Sequence, residues 1–258
     1  MWRILLLGLI QGLTEFLPVS SSGHLIVLGS LVAMPASGGK IEVALHLGTL
    51  VAIMVGYRRE LSRWLKGLVT GERADRRLFW QLVLASVPAA GVGYWAGSWM
   101  THWFIPLGVA AGWLATTAAL WLTPPAESGT ATLADLSWWQ AFVVGAFQAL
   151  ALWPGLSRSG STIFAARVLG LAPGEAARLS FYMAIPVVIG ASALTFHSSP
   201  ILAQGTGPAL ILGMGVAAIS GVFAIEWVKH ALGATRLWRR FGWYTLILAL
   251  MALWLGGF

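Results

Sequence analysis

Two short segments of the sequence combine polar residues in patterns that could bind and cleave a phosphate group. In the first, QGLTEFLPVSSSGH, Gln11 and Glu15 are four residues apart and therefore share one face of a helix. Pro18 is expected to end that helix. A new helix should then begin at a cluster of hydroxyl side chains, which are common at helix starts: Ser20, Ser21 and Ser22.

The serines are followed by two residues with different expected uses. Gly23 permits close approach of another group to the backbone, and His24 falls in the first turn of the new helix. A lone histidine is more often a satisfied interior residue, but beside serines and a carboxylate His24 is better placed as an acid, a base or a phosphate donor. Glu42 and His46, one helical turn apart, are candidates for a supporting role, although a position at the membrane interface explains them nearly as well.

The second segment, WPGLSRSGST, predicts another helix start after Pro154. Its polar and small residues are Ser157, Arg158, Ser159, Gly160, Ser161 and Thr162. The first turn of a helix has unpaired N–H groups and the positive end of the helix dipole, so two such starts facing one cavity would bind an anion. A phosphate or pyrophosphate fits a cavity of that kind.

These residues also have structural interpretations. The serines could serve only as helix caps, and Glu15 could pair with Arg158 only to join two parts of the fold. Arg158 is harder to explain in this way, because an arginine inside the membrane costs about 2.5 kcal/mol or more on insertion scales and calls for an anionic partner. Glu226 and Lys229, three residues apart, are most simply a surface pair at a helix end.

The composition indicates that membrane helices position the two segments. Hydrophobic residues make up 58% of the 258 and charged residues 10%, whereas soluble domains carry roughly 25% charged residues. The net charge of +7 does not indicate a nucleic-acid partner, because the basic residues flank apolar stretches and form no stripe. The absence of cysteine excludes disulfides, thiolate metal sites and cysteine nucleophiles.

The apolar stretches predict an all-α integral membrane protein with a single membrane domain over residues 1–258. Two apolar regions, 2–34 and 138–171, are interrupted midway by the two polar segments, and each is predicted to form a re-entrant helical hairpin. The apolar N-terminus is expected to remain in the mature protein, because no small-residue cleavage site follows it. Six further stretches are long enough to cross about 30 Å of hydrocarbon: 41–57, 78–98, 103–123, 178–197, 208–228 and 241–258.

Charge and internal similarity predict how the hairpins are arranged. The basic stretches 58–77 and 229–240 are expected to be cytoplasmic loops, which places the bases of the two hairpins on opposite sides and their breaks near the midplane. An offset of 137 residues pairs Gln11 with Gln148, and it also pairs Ser20 with Ser157 and Gly23 with Gly160. We therefore predict an inverted repeat, with residues 1–123 and 138–258 as its halves and a site between them.

The two polar segments together resemble the signature motifs of the bacterial undecaprenyl-pyrophosphate phosphatases associated with bacitracin resistance, and the resemblance covers essentially the whole chain. It implies that Ser21 is the nucleophile, that His24 is a catalytic histidine, and that Arg158 is the arginine of the second motif. Gln11 and Glu15 correspond to a pair in that family's first motif, with Gln11 a permitted variant at the first position. These two residues are the expected ligands of a divalent cation, Mg²⁺ or Ca²⁺.

The resemblance also implies a substrate and a place of action. The expected reaction removes the terminal phosphate of undecaprenyl pyrophosphate at the outer face of the bacterial inner membrane. Arg158 and the N–H groups of the helix starts would hold the pyrophosphate while Ser21 attacks, and Glu15 or His24 would accept the serine proton. Direct attack by a metal-activated water uses the same residues.

Two other classes of protein share parts of this pattern. A transporter or lipid flippase often has inverted repeats with broken helices, but it needs the phosphate donors without the nucleophile Ser21. A structural scaffold has no use for Arg158 at a helix break. The sequence leaves open the lipid chain length, the cation, an additional lipid-flipping role and a homodimer.

Overall fold

A computed structural model describes residues 1–31, 40–198 and 207–255. The predicted all-α class is confirmed for these residues, which hold no β-strand beyond an isolated bridge between Ala131 and Leu171. The α-helices are α1 (Trp2–Phe16), α2 (Ser21–Leu31), α3 (Lys40–Gly56), α4 (Arg58–Thr70), α5 (Arg73–Met100), α6 (Pro106–Leu122), α7 (Trp138–Leu150), α8 (Arg158–Val168), α9 (Pro173–Ser198), α10 (Gly207–Leu232) and α11 (Thr235–Leu255).

Several of these helices suit a multi-pass membrane protein. Among the described residues, α5, α9 and α10 are long and apolar enough to cross a bilayer, and α3 with α4 adds a fourth candidate that is bent by 82°. Helix α6 is apolar but shorter, and residues 256–258 of the predicted last crossing lie outside the described residues. The prediction of six crossings therefore stays a prediction.

Each predicted hairpin is found as two short helices around its polar segment. Helices α1 and α2 contain 15 and 11 residues, which at the helical rise gives about 22 and 16 Å, less than a bilayer core. Helices α7 and α8, with 13 and 11 residues, are equally short. Residues 32–34 of the first hairpin lie outside the described residues, and the re-entrant course of both hairpins stays a prediction.

The two basic stretches are helical, so their prediction as loops was wrong. Helix α4 occupies most of 58–77, and Gly71 caps its C-terminal end. The φ of 87° at Gly71 is a left-handed conformation that favours glycine, which lacks a β-carbon. One face of α4 is apolar, and there Leu61 is buried and Trp64 stacks on Tyr182 with ring centroids 5.7 Å apart. The stretch 229–240 likewise contains the end of α10 and the start of α11.

Small residues bring α1 against α10 and α7 against α5. A β-carbon at Gly8 would overlap the carbonyl group of Gly213, and one at Gly145 would overlap that of Ala85. Such contacts allow helix backbones to approach closely. Under the predicted repeat α7 corresponds to α1 and α5 to α10, so the two contacts would be equivalent; the inverted repeat itself stays a prediction.

We expect Gly8→Ala to lower the free energy of unfolding by about 1–3 kcal/mol, because the added methyl group forces α1 away from α10. Thermal unfolding of the purified protein in detergent measures the change. Gly91→Ala is the matched control, since Gly91 lies inside α5 with no neighbouring atom near the new methyl group. Equal melting temperatures for the two variants would contradict this account of the helix contact.

Candidate active site

The first break runs from Leu17 to Ser20, between α1 and α2. Leu17 leaves the helix with an extended backbone, and Pro18 follows it. Ser20 has a φ of 67°, a left-handed conformation that no other described residue except glycine adopts. Its side-chain oxygen accepts a hydrogen bond from the Gly23 N–H at 3.3 Å, so Ser20 caps α2 as the sequence predicts.

The second break runs from Ala151 to Ser157, between α7 and α8. Gly155 has a φ of 85° within it, and the Ser157 hydroxyl caps α8 by accepting from the Gly160 N–H at 3.1 Å. Helix α6 supports this turn through Thr116, whose hydroxyl accepts from the Ser157 N–H at 2.9 Å and lies 3.1 Å from the Gly155 carbonyl oxygen. The break is therefore held by specific hydrogen bonds.

The two breaks lie in contact, as the sequence predicts. The Ser159 hydroxyl donates to the Leu17 carbonyl oxygen at 3.1 Å, and a β-carbon on Gly160 would lie 3.4 Å from the Pro18 ring. From α6, the Trp113 indole N–H donates to the Val19 carbonyl oxygen at 2.9 Å. The Leu17 and Val19 carbonyl oxygens, which have left the helix, thus accept hydrogen bonds from other parts of the protein. Backbone groups inside a membrane need such partners.

Glu15 is the centre of the polar groups at this junction. Its Oε1 atom lies 2.5 Å from Nη2 of Arg158, so the carboxylate of one hairpin pairs with the guanidinium of the other. Its Oε2 atom accepts from the Ser21 hydroxyl at 2.7 Å and from the Gln11 amide at 3.0 Å. His46 Nε2 lies 3.2 Å from the same Oε2.

A cavity of about 150 Å³ opens beside this carboxylate. Its polar lining combines both breaks with one residue of α3: Glu15, Ser20, Ser21, Ser22, His46, Ser157 and Arg158. Its apolar lining comes from the second break and α9: Ala151, Leu152, Leu156, Ala184, Val187 and Val188. The cavity therefore presents a cation, hydroxyl groups and a carboxylate together with aliphatic groups.

The other predicted phosphate-binding residues do not line this cavity. Gly23 packs against the Trp113 ring, and Ser159 and Gly160 contact the first break. The Thr162 hydroxyl lies 2.7 Å from that of Ser180, and the buried Ser161 hydroxyl has no hydrogen-bond partner. Gly23 belongs to the first helix start and the other four residues to the second, and their predicted contact with phosphate stays a prediction.

His24 lies in a different cavity from Glu15. Its Nδ1 atom is 2.7 Å from the Ser20 carbonyl oxygen, and its Nε2 atom is 2.8 Å from the Tyr244 hydroxyl. Since a carbonyl oxygen only accepts, Nδ1 carries the hydrogen and, in the neutral ring, Nε2 accepts from Tyr244. The ring also stacks on Tyr244 and meets the edge of Trp113, so the structure does not bring His24 to the carboxylate as the sequence predicts.

His46 occupies the position beside Glu15 that the sequence suggests for His24. From the sequence, His46 is predicted only in a supporting role with Glu42, and their spacing of one helical turn is the signal for it. The sequence does not specify how α3 is rotated about its own axis. That rotation turns His46 toward Glu15 of α1.

The donor atoms near Glu15 decide whether a divalent cation fits. No group of three or more histidine and acidic residues suitable for a metal exists in the described part of the chain. The Gln11 Oε1 atom, however, is buried and without a partner, next to the single carboxylate of Glu15. Mg²⁺ is commonly held by one or two carboxylates together with substrate phosphates, so this donor set suits a cation only when phosphate oxygens complete it, and the predicted cation stays a prediction.

Comparison with known proteins gives matches along nearly the whole chain. The sequence model of a family described as bacitracin resistance protein BacA matches residues 4–251. A protein of Trichlorobacter lovleyi named undecaprenyl-diphosphatase is 39% identical over 250 residues, which cover 93% of this chain and 91% of the relative. Proteins of the same name from Thermomicrobium roseum and Bordetella petrii are 38% and 35% identical, and they cover 90% and 96% of this chain and 89% and 94% of their own lengths.

We expect Thr116→Val to destabilise the second break, because the substitution keeps the side-chain shape but leaves the buried Ser157 N–H without an acceptor. The expected loss is about 1–3 kcal/mol in the free energy of unfolding, measured by thermal or denaturant unfolding in detergent. Thr70→Val is the control, since Thr70 is exposed and bonds only to carbonyl groups of its own helix. A loss no larger than that of the control would show that Thr116 does not hold the break.

Proposed function

Since this chain belongs to the bacitracin resistance protein BacA family, we propose that it is an undecaprenyl-diphosphatase, which hydrolyses undecaprenyl pyrophosphate to undecaprenyl phosphate and inorganic phosphate. The three relatives compared above carry that name. Within a bacterial inner membrane this reaction would recycle the lipid carrier of cell-wall synthesis and confer bacitracin resistance. The basic residues of the stretch 58–77 support a cytoplasmic position for α4, and we propose that the active-site cavity opens toward the periplasmic side.

The observation that carries the proposal is the grouping of a nucleophile, a base and a phosphate clamp around one cavity. Ser21 already donates its hydroxyl proton toward Glu15 at 2.7 Å, and Arg158 holds the other oxygen of the same carboxylate. A transporter for phosphorylated lipids would need Arg158 but not a serine paired with a base. A purely structural ion pair would not need Ser21 either.

The lining of the cavity suits an amphiphilic substrate. The pyrophosphate would lie against Arg158 and the helix starts of α2 and α8, where N–H groups and hydroxyl groups favour an anion. The first isoprene units would contact the aliphatic side chains of Leu152, Leu156 and Val188, which line the same cavity. Arg158 keeps its orientation through the Ser180 carbonyl oxygen, which accepts from Nη1 at 3.1 Å.

The proposed reaction follows from the Ser21–Glu15 hydrogen bond. The Ser21 proton passes to Glu15 Oε2 as Oγ forms a bond to the terminal phosphorus and the bond from phosphorus to the bridging oxygen breaks. The lipid monophosphate leaves with that electron pair, and Arg158 offsets the charge that develops. Glu15 passes this proton to the leaving oxygen or to solvent. It then accepts a proton from the water that attacks the phosphoserine, and it returns that proton to Ser21 Oγ as the bond from phosphorus to Oγ breaks and inorganic phosphate leaves.

The proposed cation would have a limited role. Held by Glu15 and the free oxygen of Gln11 together with phosphate oxygens, Mg²⁺ or Ca²⁺ would offset phosphate charge. The binding of the lipid, the orientation of Ser21 and the movement of its proton come from the side chains themselves.

We expect Ser21→Ala to lower turnover by several orders of magnitude with little change in KM, because the nucleophile acts in the transition state. Phosphate release from a polyprenyl pyrophosphate by the purified protein measures this. Ser20→Ala should cost far less, on the order of one helix-cap hydrogen bond or about 1 kcal/mol, because Ser20 bonds to Ser22 and the Gly23 N–H rather than to Glu15.

The covalent step has its own test. Rapid quench of the wild-type protein with substrate labelled on the terminal phosphate should trap the label on Ser21. If Ser21→Ala keeps a tenth or more of the activity and no phosphoserine forms, direct attack by an activated water replaces the covalent scheme.

We expect Arg158→Lys to remove most of the activity while the protein still folds, because a single ammonium nitrogen cannot reproduce the planar fork of donors that holds two phosphate oxygens. Turnover and KM are measured beside the melting temperature. Arg239→Lys, at an exposed position of α11, is the matched control and should behave as wild type. Near-normal turnover of Arg158→Lys would mean that Arg158 only joins the hairpins.

A further inference from the structure

His46 contacts the Glu15 carboxylate at the oxygen that Arg158 does not contact. Its Nε2 atom lies 3.2 Å from Glu15 Oε2, the same oxygen that faces the Ser21 hydroxyl. Its Nδ1 atom lies 2.7 Å from the Glu42 carbonyl oxygen, one turn back in α3. The side chain also lines the active-site cavity and is 28% exposed there.

The partners of the ring fix where its hydrogen atoms lie. A carbonyl oxygen only accepts, so Nδ1 donates to Glu42. Because Glu15 Oε2 already accepts from the Ser21 hydroxyl and is the proposed proton acceptor, the hydrogen between Nε2 and Oε2 is carried by Nε2. His46 is therefore bonded to Glu15 and is not merely adjacent to it.

Helix α3 holds this histidine in a rigid setting. Gly48 lies so close to α10 that a β-carbon would overlap the Met214 carbonyl group. Leu45 is fully buried on the same helix, and the Thr49 hydroxyl donates to the His46 carbonyl oxygen at 2.9 Å. Because α3 cannot rotate or shift without disturbing α10, the imidazole ring keeps its distance from Glu15.

We propose that His46 is a positioning residue for the phosphatase reaction, which fixes the Glu15 carboxylate so that Oε2 faces Ser21. This inference rests on the function proposed above. Arg158 holds only Oε1, and a carboxylate held at one oxygen can still turn about that contact. Bonds from His46 and Gln11 to Oε2 prevent the turn and keep the proton acceptor aligned with the serine hydroxyl.

The side chains available at position 46 allow a graded test. His46→Leu removes the bond, His46→Gln places an amide N–H about as far from the backbone as Nε2, and His46→Asn carries the same amide one methylene shorter. We expect His46→Leu and His46→Asn to lower kcat by about 100-fold, as a small misplacement of a catalytic group can do, with KM within about twofold. His46→Gln should restore kcat to within a few fold of wild type.

The measurements are phosphate release from a polyprenyl pyrophosphate in detergent and the melting temperature of each variant. His102→Leu is the matched control, because His102 is exposed and bonds only to the Trp99 carbonyl oxygen. The comparison between His46→Gln and His46→Asn guards against a folding defect in His46→Leu, since both variants carry an amide in the same environment.

The outcomes separate this inference from the function itself. Unchanged kcat in His46→Leu, an increase confined to KM, or equal losses in His46→Gln and His46→Asn would each overturn the positioning role. If the wild-type protein releases no phosphate, the proposed function fails and the role of His46 in it falls as well. If the wild type is active but the kcat values of the position 46 variants do not follow the expected order, the function stands and the positioning role is wrong.

Discussion

An ionised carboxylate inside a membrane protein must be paired, and the contact between Glu15 and Arg158 meets that requirement across 143 residues of sequence. Removing the Glu15 carboxylate would leave the Arg158 guanidinium inside the protein without its acidic partner, at a cost of several kcal/mol. The contact therefore requires both hairpins to stay together. The position of Ser21, the cavity and the helix starts all depend on that arrangement.

The two helix breaks are stable because neighbouring side chains form hydrogen bonds with backbone groups that are no longer paired within a helix. Trp113 and Thr116, one turn apart on α6, bond to the first and the second break respectively, and Ser159 joins the breaks directly. Irregular backbone at membrane depth is stable only when protein or enclosed water surrounds it. The same arrangement leaves hydroxyl groups and helix starts facing a small cavity, so the features that make the breaks stable also make them suitable for an anion.

Much of the candidate site could be predicted from local sequence. Pro18 and the serines after it predict a helix end and a helix start, and the structure has both. Glu15 and Gln11 share a helix face because of their spacing, and their amide–carboxylate bond is observed. The prediction of a loop over 58–77 was wrong because high charge alone does not exclude a helix. Leu61 and Trp64, three residues apart, form an apolar face that packs α4 against the rest of the protein.

The sequence by itself determined the all-helical class and the two helix breaks, because these follow from hydropathy and from the positions of proline and serine. Its loop charges and internal similarity predicted that the two breaks meet, and the structure brings Glu15, Ser21 and Arg158 together there. Tertiary structure alone decided which histidine joins them. His24 turns to Tyr244, 220 residues away, while the packing of Gly48 on α10 turns His46 to Glu15. The rotation of a helix about its axis depends on contacts between distant segments, and no local pattern of residues specifies it.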